Sequence, residues 1–507
     1  MSLSLVKANN REIVVAYKDL RDFLKIAERC GELKEIRGVD WDLDMGSLSE
    51  IVYQKGKDPK PALLFDEIPG YPKGFRCLFG QISSPRRIAM ALSLPDGDGQ
   101  LQRRTLLANI RRKLKETSLI PPRMVKSPPV TENVLTGMDA DVLKFPSPRF
   151  HELDGGRYIG TGCTVIIRDP DTGFVNLGTY RVMVVDHHRL AVHILESKHG
   201  SVLMNEKYFD RGKVMPVAVA IGIDPALWFA SNRKIPWQTS EYDYAGLIKG
   251  EPIEVFEGPH TGLPLPATAE IVIEGECHAG DLAKEGPFGE GVGYYANMGL
   301  EKVPEPVIRV KAIHYRNNPI LTCSNPAVPP SEASLMFAYS SSAMLWEKLD
   351  AVGIPGIKDV WCPEVGHGCM LNVVSIEQKY AGHSTETGVF ASQIHDGGGV
   401  GKYTIIVDDD IDPSDMNQVL WAVESRTDPV RSIQFIDRCH TTSRDPSVSM
   451  EQKRKYNAKS LVVSRCIIDA CQPFSEKPDG WFPVARSSPE QRAKIYKKYA
   501  AVLTELL

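Results

Sequence analysis

The segment Glu285-Gly-Pro-Phe-Gly-Glu290 sets two carboxylates five positions apart. It is too rich in glycine and proline to be helical. Pro287 is expected to hold Gly286 extended, and the glycines let backbone come close to a ligand. Neighbouring acids drive their pKa values apart, so that one donates a proton while the other stays ionised. Two solvated glutamates on an ordinary loop are the plainer reading. Upstream, Asn176-Leu-Gly-Thr-Tyr-Arg181 falls within an expected strand. Side chains alternate along a strand, which places Asn176, Gly178 and Tyr180 on one face and Thr179 and Arg181 on the other. An arginine in so apolar a stretch needs an anionic partner, either a structural carboxylate or the carboxylate or phosphate of a ligand. His199 and Glu241 complete an O, N, O donor set with Asn176, suited to Mn²⁺ or Mg²⁺ with phosphate and water filling the shell. Spacing alone does not assemble that set, and a lone histidine is usually packed or on the surface. An anion clamp, interacting acids and metal donors together suit chemistry on a carboxylic acid.

Other features invite chemistry and are discounted. His187-His188 are adjacent at an expected strand end, so they point to opposite faces and do not chelate together. Gly397-Gly-Gly-Val-Gly-Lys402 is one residue short of a phosphate-binding loop, has Tyr403 where Ser or Thr belongs, and is followed by a strand pattern. Gly289-Glu-Gly-Val-Gly293 does not match the dinucleotide fingerprint. No G-x-S-x-G occurs, which argues against an ordinary α/β-hydrolase. The ten cysteines form no CxxC pair, so a structural zinc site is not expected and reduced, buried cysteines are.

The elements that must position these residues change character along the chain. Leu20, Phe23, Leu24 and Ala27 recur at helical spacing before Gly31, and Pro61 to Phe65 reads as a strand. Ser84-Pro85 caps a helix, and residues 100 to 120 suggest another. Past the prolines at 121, 122, 128 and 129 the pattern turns to strands: Cys163 to Asp169, Phe174 to Asp186, Leu190 to Glu196, Val214 to Ile223, Ala267 to Cys277, Val307 to Tyr315 and Ile320 to Cys323. That run suggests a barrel-like β domain. Helix and strand signals alternate again from about residue 330: a helix at 334–351, strands at Met370 to Ile376 and Lys402 to Val407, and a helix at Met416 to Glu424 capped by Ser414. Ser488-Pro489 opens a final helix whose Ile495, Tyr499, Val502 and Leu506 form a stripe. That stripe suits a neighbouring subunit or an intramolecular contact equally.

The 507 residues suffice for about three domains, and 42% hydrophobic with 24% charged residues is an ordinary globular balance. A net charge of −4 offers no electrostatic grip on nucleic acid or anionic membrane. No segment approaches a membrane span, and the opening MSLSLVKANN lacks a signal-peptide pattern, so a cytoplasmic protein is expected.

The ordered set Asn176-x4-Arg181, His199, Ser240-Glu241, Glu285-Gly-Pro-Phe-Gly-Glu290, Tyr315-Arg-Asn-Asn318 and Val407-Asp-Asp-Asp-Ile-Asp412 resembles the UbiD-like decarboxylases, which use prenylated FMN. The resemblance runs over most of the chain. It implies an N-terminal α/β domain (1–124), a central split β-barrel that binds flavin (125–328) and a C-terminal α/β domain that builds oligomers (329–507). It implies that Asn176, His199 and Glu241 hold a divalent metal, usually manganese, against the cofactor phosphate. Potassium would lie beside it on backbone groups of Ala230, Ser231 and Arg233, with Glu241 between the ions. Gly178, Thr179, Tyr180 and Arg181, with Lys198 and His199, would line the cofactor, and Lys402 stands near a region where some members place a phosphate contact. Lys198 either faces a substrate with an extra anionic or hydroxyl group or contacts only the cofactor.

Arg181, Glu285 and Glu290 match the catalytic network of that family. The implied reaction is reversible decarboxylation of an aromatic or heteroaromatic, α,β-unsaturated acid, with Arg181 orienting the carboxylate and Glu290 giving the proton. Leu195, Ala333, Met336 and Phe337 are the expected pocket walls. A flavin prenyltransferase would supply the cofactor, and the chain would form a homodimer or larger homo-oligomer. A flavin-binding reductase or a non-catalytic assembly subunit on the same barrel is the alternative, although neither needs Arg181, Glu285 and Glu290. A metal-dependent hydrolase is a third reading and predicts activity without flavin.

Overall fold

The computed structural model describes residues 5–7, 13–95, 102–116, 118–394, 401–456 and 458–506. The expected glycine run thus has Gly397 to Val400 outside the described residues, while Gly401 and Lys402 lead directly into a strand, Tyr403–Asp408. Among these residues no helix is long and apolar enough to cross a membrane.

Three sheets carry the architecture, with helices packed on the first and third. The first has four strands in the order Ile320–Cys323, Arg76–Phe79, Ala62–Asp66 and Leu33–Arg37. The helix Leu20–Arg29 buries Leu20, Phe23, Leu24 and Ala27, the positions its periodicity marks. Ser84 caps Pro85–Ala91 by accepting from the Arg87 N–H. The third sheet is mixed, ordered Ile357–Trp361, Leu371–Ile376, Tyr403–Asp408, Val462–Ala470 and Ile433–His440. Ser334–Ala351, His383–Gln393 and Met416–Arg426 are its main helices.

Between them a sheet of nine strands curls without closing. Its path runs Val175–Gly178, Cys163–Arg168, Met215–Ile221, Ile271–Glu285, Val303–Tyr315, Arg189–His193, Arg181–Val184 and Tyr158–Gly160, and Asn133–Thr136 also pairs with Val303–Tyr315. Pairing throughout is antiparallel. This is the open barrel that the strand pattern and the resemblance anticipate, within a multidomain α/β and β chain.

Four expectations change in detail. Phe174 to Asp186 is two strands, because the chain leaves one edge after Gly178 and joins the opposite flank at Arg181. The Thr179 N–H donates to the Ser231 carbonyl at 3.1 Å instead of a ladder partner, so side-chain alternation does not run through the crossing. Ile320–Cys323 pairs in parallel with Arg76–Phe79 and so belongs to the first sheet. Asp415, not Ser414, caps Met416–Arg426: its carboxylate accepts from the Asn417 and Gln418 N–H groups, whereas the Ser414 hydroxyl is committed to Asp412 at 2.7 Å. The final helix is interrupted at Tyr499, giving Pro489–Lys498 and Ala500–Leu506, and Ile495, Tyr499 and Val502 stay exposed.

Candidate active site

The crossing from Gly178 to Arg181 spans the open seam of the curled sheet, and the site is built there. Tyr180 turns back into a slot between two glycines. A Cβ on Gly178 would sit 2.2 Å from its ring, and one on Gly200 2.6 Å, so neither position takes a side chain. The Tyr180 hydroxyl donates to Asn176 Oδ1 at 3.0 Å and accepts from the Gly200 N–H at 3.1 Å. Residue 176 is fixed in turn by Glu241, whose Oε1 accepts from Asn176 Nδ2 at 3.2 Å and whose Oε2 accepts from the Leu177 N–H at 2.7 Å. Glu241 is the first residue of the helix Glu241–Lys249, capped by Ser240.

Asn176, His199 and Glu241 line one cavity of about 470 Å³. Burial pushes the Glu241 carboxyl up to about 8, and the hydrogen bonds it accepts only partly offset this. A cation beside an acid so placed would favour its ionised form. His199 starts a short helix after Lys198, its ring edge-on to Trp237 at 4.9 Å. Burial, with Lys198 and Lys234 nearby, lowers its pKa and favours the neutral imidazole that ligates metals. The Thr179 hydroxyl is buried with no hydrogen-bond partner among the described residues. A neutral imidazole, an amide and a buried carboxylate lining one cavity fit a divalent ion with an anionic cofactor.

The catalytic candidates converge at the same seam. Arg181 donates through Nε and a terminal nitrogen to both oxygens of Glu285 at 2.8 Å, and through the other to Glu290 Oε1 at 2.9 Å. Glu285 is fully buried, and the Tyr158 hydroxyl also donates to it at 3.1 Å. Burial raises the Glu285 pKa, but the charge and hydrogen bonds of Arg181, with His193, outweigh burial and hold it below the usual carboxylate range. The same pair raises the Arg181 pKa. Phe288 lies under the guanidinium at 4.9 Å and against Tyr158 at 4.4 Å.

Gly286 is not extended. Its φ of +84° is open to glycine alone without strain, and the bond to Pro287 is cis. Gly155 accommodates this turn: a Cβ there would lie 1.6 Å from the Gly286 carbonyl oxygen, and its N–H donates to the Pro287 carbonyl at 2.8 Å.

Gly178, Thr179, Tyr180, Arg181 and Lys198 all line the cavity, as do Ser231 and Arg233, whereas Ala230 is buried behind it. Lys402 is not brought to this wall. It pairs with Asp445 at 3.1 Å and Ser447 at 2.6 Å within the C-terminal region. Leu195 and Phe337 line the cavity, but Ala333 and Met336 do not, because Met336 turns into the hydrophobic core. A larger cavity of about 620 Å³, bounded by Tyr53, Arg86, Leu335 and Glu364, contains none of the sequence-selected site residues.

Several lining groups were not anticipated. His193 lies opposite Arg181 on the adjacent strand, and its Nδ1 meets Glu305 Oε1 at 2.6 Å. Its place at the end of a strand facing the Arg181 strand is the signal that pairing would have given. His367, Cys369 and the segment His440 to Arg444 come from the C-terminal region and carry no motif.

Comparison with known proteins gives the family. Residues 24–103, 123–329 and 334–470 match the N-terminal, Rift-related and C-terminal domains of 3-octaprenyl-4-hydroxybenzoate carboxy-lyase, the UbiD family. The chain belongs to the UbiD family. It is an enzyme of the carboxy-lyase class. UbiD relatives include the pyrrole-2-carboxylic acid decarboxylase of Pseudomonas aeruginosa, 32% identical over 464 residues that cover 88% of this chain and 90% of that one. Vanillic acid decarboxylase of Sedimentibacter hydroxybenzoicus, in its open form, superposes with a TM-score of 0.80 at 26% identity, covering 96% of this chain and 100% of that one. An evolved dimeric form of the UbiD-class enzyme HmfF from Pelotomaculum thermopropionicum, in complex with prFMN, gives 0.76 at 27% identity, covering 94% and 98%.

Proposed function

We propose that this UbiD enzyme carries out the reversible, non-oxidative decarboxylation of an aromatic or heteroaromatic, α,β-unsaturated carboxylic acid with prenylated FMN. One observation carries the reading: Arg181, which lines the cavity together with Glu290 and the Asn176, His199 and Glu241 set, is shared between Glu290 and the fully buried Glu285 behind it. The bound forms of UbiD relatives support the cofactor. Prenylated FMN supplies, when bound, the electron sink for the pair left behind by departing CO₂.

The protein's own groups do the rest. Three hydrogen bonds use three of the five N–H groups of Arg181, so two remain for a substrate carboxylate. Glu285, held ionised by Arg181, keeps the guanidinium plane fixed. Glu290 gives its proton to the carbon that loses CO₂ and is reprotonated from solvent. Phe288 and Tyr158 shield the pair from water. Asn176, His199 and Glu241 would hold Mn²⁺ against the cofactor phosphate. Backbone groups of Ala230, Ser231 and Arg233, with Glu241, would hold K⁺. A flavin prenyltransferase would provide the cofactor, and the exposed Ile495, Tyr499 and Val502 suit a homodimer or larger assembly.

The test is Glu290→Gln in protein co-expressed with a flavin prenyltransferase. Retained prenylated FMN with CO₂ release reduced at least about 100-fold is expected. Unchanged CO₂ release removes Glu290 as proton donor, and turnover of aromatic acids without any flavin removes the whole reading.

A further inference from the structure

The connection between the strands Ile271–Glu285 and Val303–Tyr315 carries Glu290 and runs on as an irregular strap over residues 291–301. Backbone bonds tie Glu290 to the start of this strap. Its N–H donates to the Tyr294 carbonyl at 2.9 Å, and its carbonyl accepts from the Gly293 N–H at 2.8 Å. Two side chains then fasten the strap to the barrel. The Tyr295 hydroxyl donates to Asp154 Oδ1 at 2.9 Å, and Asn297 Nδ2 donates to His193 Nε2 at 3.2 Å.

A second fastening comes from the C-terminal region. The short helix Met450–Lys455 opens with a capping box of Ser449 and Gln452, which fixes its first turn locally. Lys453 is the residue this helix buries. A helix that buries its lysine gives up side-chain entropy and hydration, so the lysine must gain a partner there. Lys453 Nζ donates to the Ala296 carbonyl. Arg454 pairs with Glu301, and the Met450 side chain lies over Gly299, 3.6 Å from where a Cβ would stand. Positions 450, 453 and 454 share one helix face, and that face grips the strap.

Burial lowers the Lys453 pKa, and the charges of Asp445 and Glu290 oppose this. Asp445 is fully buried and fixed by Lys402 and by the Thr441 hydroxyl, each at 3.1 Å. The ammonium is thus within electrostatic reach of an anchored acid of the C-terminal region and of the proton donor. Lys453 does not line the cavity, so any part it has in the reaction passes through the strap and Glu290.

We propose that Lys453 is a positioning residue for proton transfer: seated on the Ala296 carbonyl, it fixes the strap that carries Glu290 and so sets where the proton is delivered. This rests on the decarboxylase reading above, with Glu290 as donor. The role is separate from binding, because the substrate carboxylate and the flavin meet other residues.

The experiment is a double-mutant cycle of Lys453→Met and Glu290→Gln in flavin-loaded protein, with pyrrole-2-carboxylate and vanillate as trial acids. Methionine keeps the unbranched stem and removes the ammonium. Lys453→Met should lower kcat about 10- to 100-fold, as a displacement of about 1 Å at a catalytic group does, with KM and flavin content unchanged. Lys453→Arg should recover most of kcat. Lys455→Met, which removes a charge from the exposed side of the same helix, should leave it unchanged. In the Glu290→Gln background Lys453→Met should add no further loss, because residues that act as one unit are not additive. Additive losses, or a kcat that Lys453→Met does not change, overturn the assignment and leave decarboxylation standing. Full turnover by Glu290→Gln instead removes the proton-donor reading itself. Hydrogen exchange read by mass spectrometry needs no substrate. Lys453→Met should speed exchange across residues 291–301 about 10-fold or more and leave the barrel strands protected. Unchanged protection of the strap overturns the assignment. If neither trial acid is turned over, that exchange decides whether Lys453 holds Glu290 in place. Should Lys453→Met not fold, Lys453→Gln takes its place in both measurements.

Discussion

Arg181 and His193 face each other across two antiparallel strands, and both act on Glu285. Ligand atoms of His193, Glu285 and Glu305 lie within 4.8 Å of one another. Glu285 thus has a cation on one side and, on the other, a histidine anchored to a second acid.

Replacing His193 by Asn should therefore alter a titration as well as a rate. Burial opposes ionisation of Glu285, Arg181 and then His193 favour it, and the net pKa is lowered. Activity that needs ionised Glu285 is present above that lowered pKa and lost as pH falls through it. Without His193 the pKa rises, so the acid limb of kcat/KM should move to higher pH, with turnover down by about 10-fold at neutral pH. An unmoved acid limb would show that His193 only packs. Glu305→Gln should reproduce part of the shift.

Gly155→Ala should lower turnover about 100-fold although residue 155 does not line the cavity. Its new Cβ would overlap the Gly286 carbonyl, and the turn carrying Glu285 and Glu290 must move. Displacement of about 1 Å at a catalytic group costs roughly 100-fold. Normal turnover in a folded Gly155→Ala protein would show that this turn yields freely.

Tyr158→Phe removes one of the hydrogen bonds to Glu285 and leaves both from Arg181. A loss of about 1–3 kcal/mol in unfolding free energy is expected, since a charged acceptor loses a buried donor. Urea denaturation at constant m-value measures it.

Metal should bind with proton release. In metal-free protein Glu241 sits at about 8 against an ordinary value of 4.5, so the folded chain keeps a proton that the unfolded chain gives up. Its stability contribution consequently falls as pH rises between those values. Mn²⁺ displaces that proton, and the rise in Tm on adding MnCl₂ in place of EDTA should be larger at pH 8 than at pH 6. Equal increments at both pH values would remove Glu241 from the ligand set.

What could be read from the chain tracks the range of the interactions. Local signals held: Ser84-Pro85 opens a helix, and Leu20 to Ala27 mark a buried face. The break between Gly178 and Arg181 escaped, because its causes are a carbonyl at Ser231 and a glycine slot completed by Gly200. Arg181, Glu285 and Glu290 were legible as a set because each stands in a motif. His193, His367 and Arg444 were not, since each reaches the cavity only through pairing or packing with residues far away in sequence. Lys402 stands apart from this set: it lies off the cavity lining and in a direct ion pair with Asp445.

The parallel pairing of Ile320–Cys323 with Arg76–Phe79 has a consequence for biosynthesis. The amino-terminal sheet is made first by the ribosome, yet its edge at Arg76–Phe79 stays bare until the barrel has been translated. Elongation at about 5–20 residues per second leaves that edge uncovered for at least some ten seconds. An exposed strand edge is a template for pairing with other chains. Truncation before residue 320 should give aggregates, and the amino-terminal region should not be obtainable as an autonomous fragment.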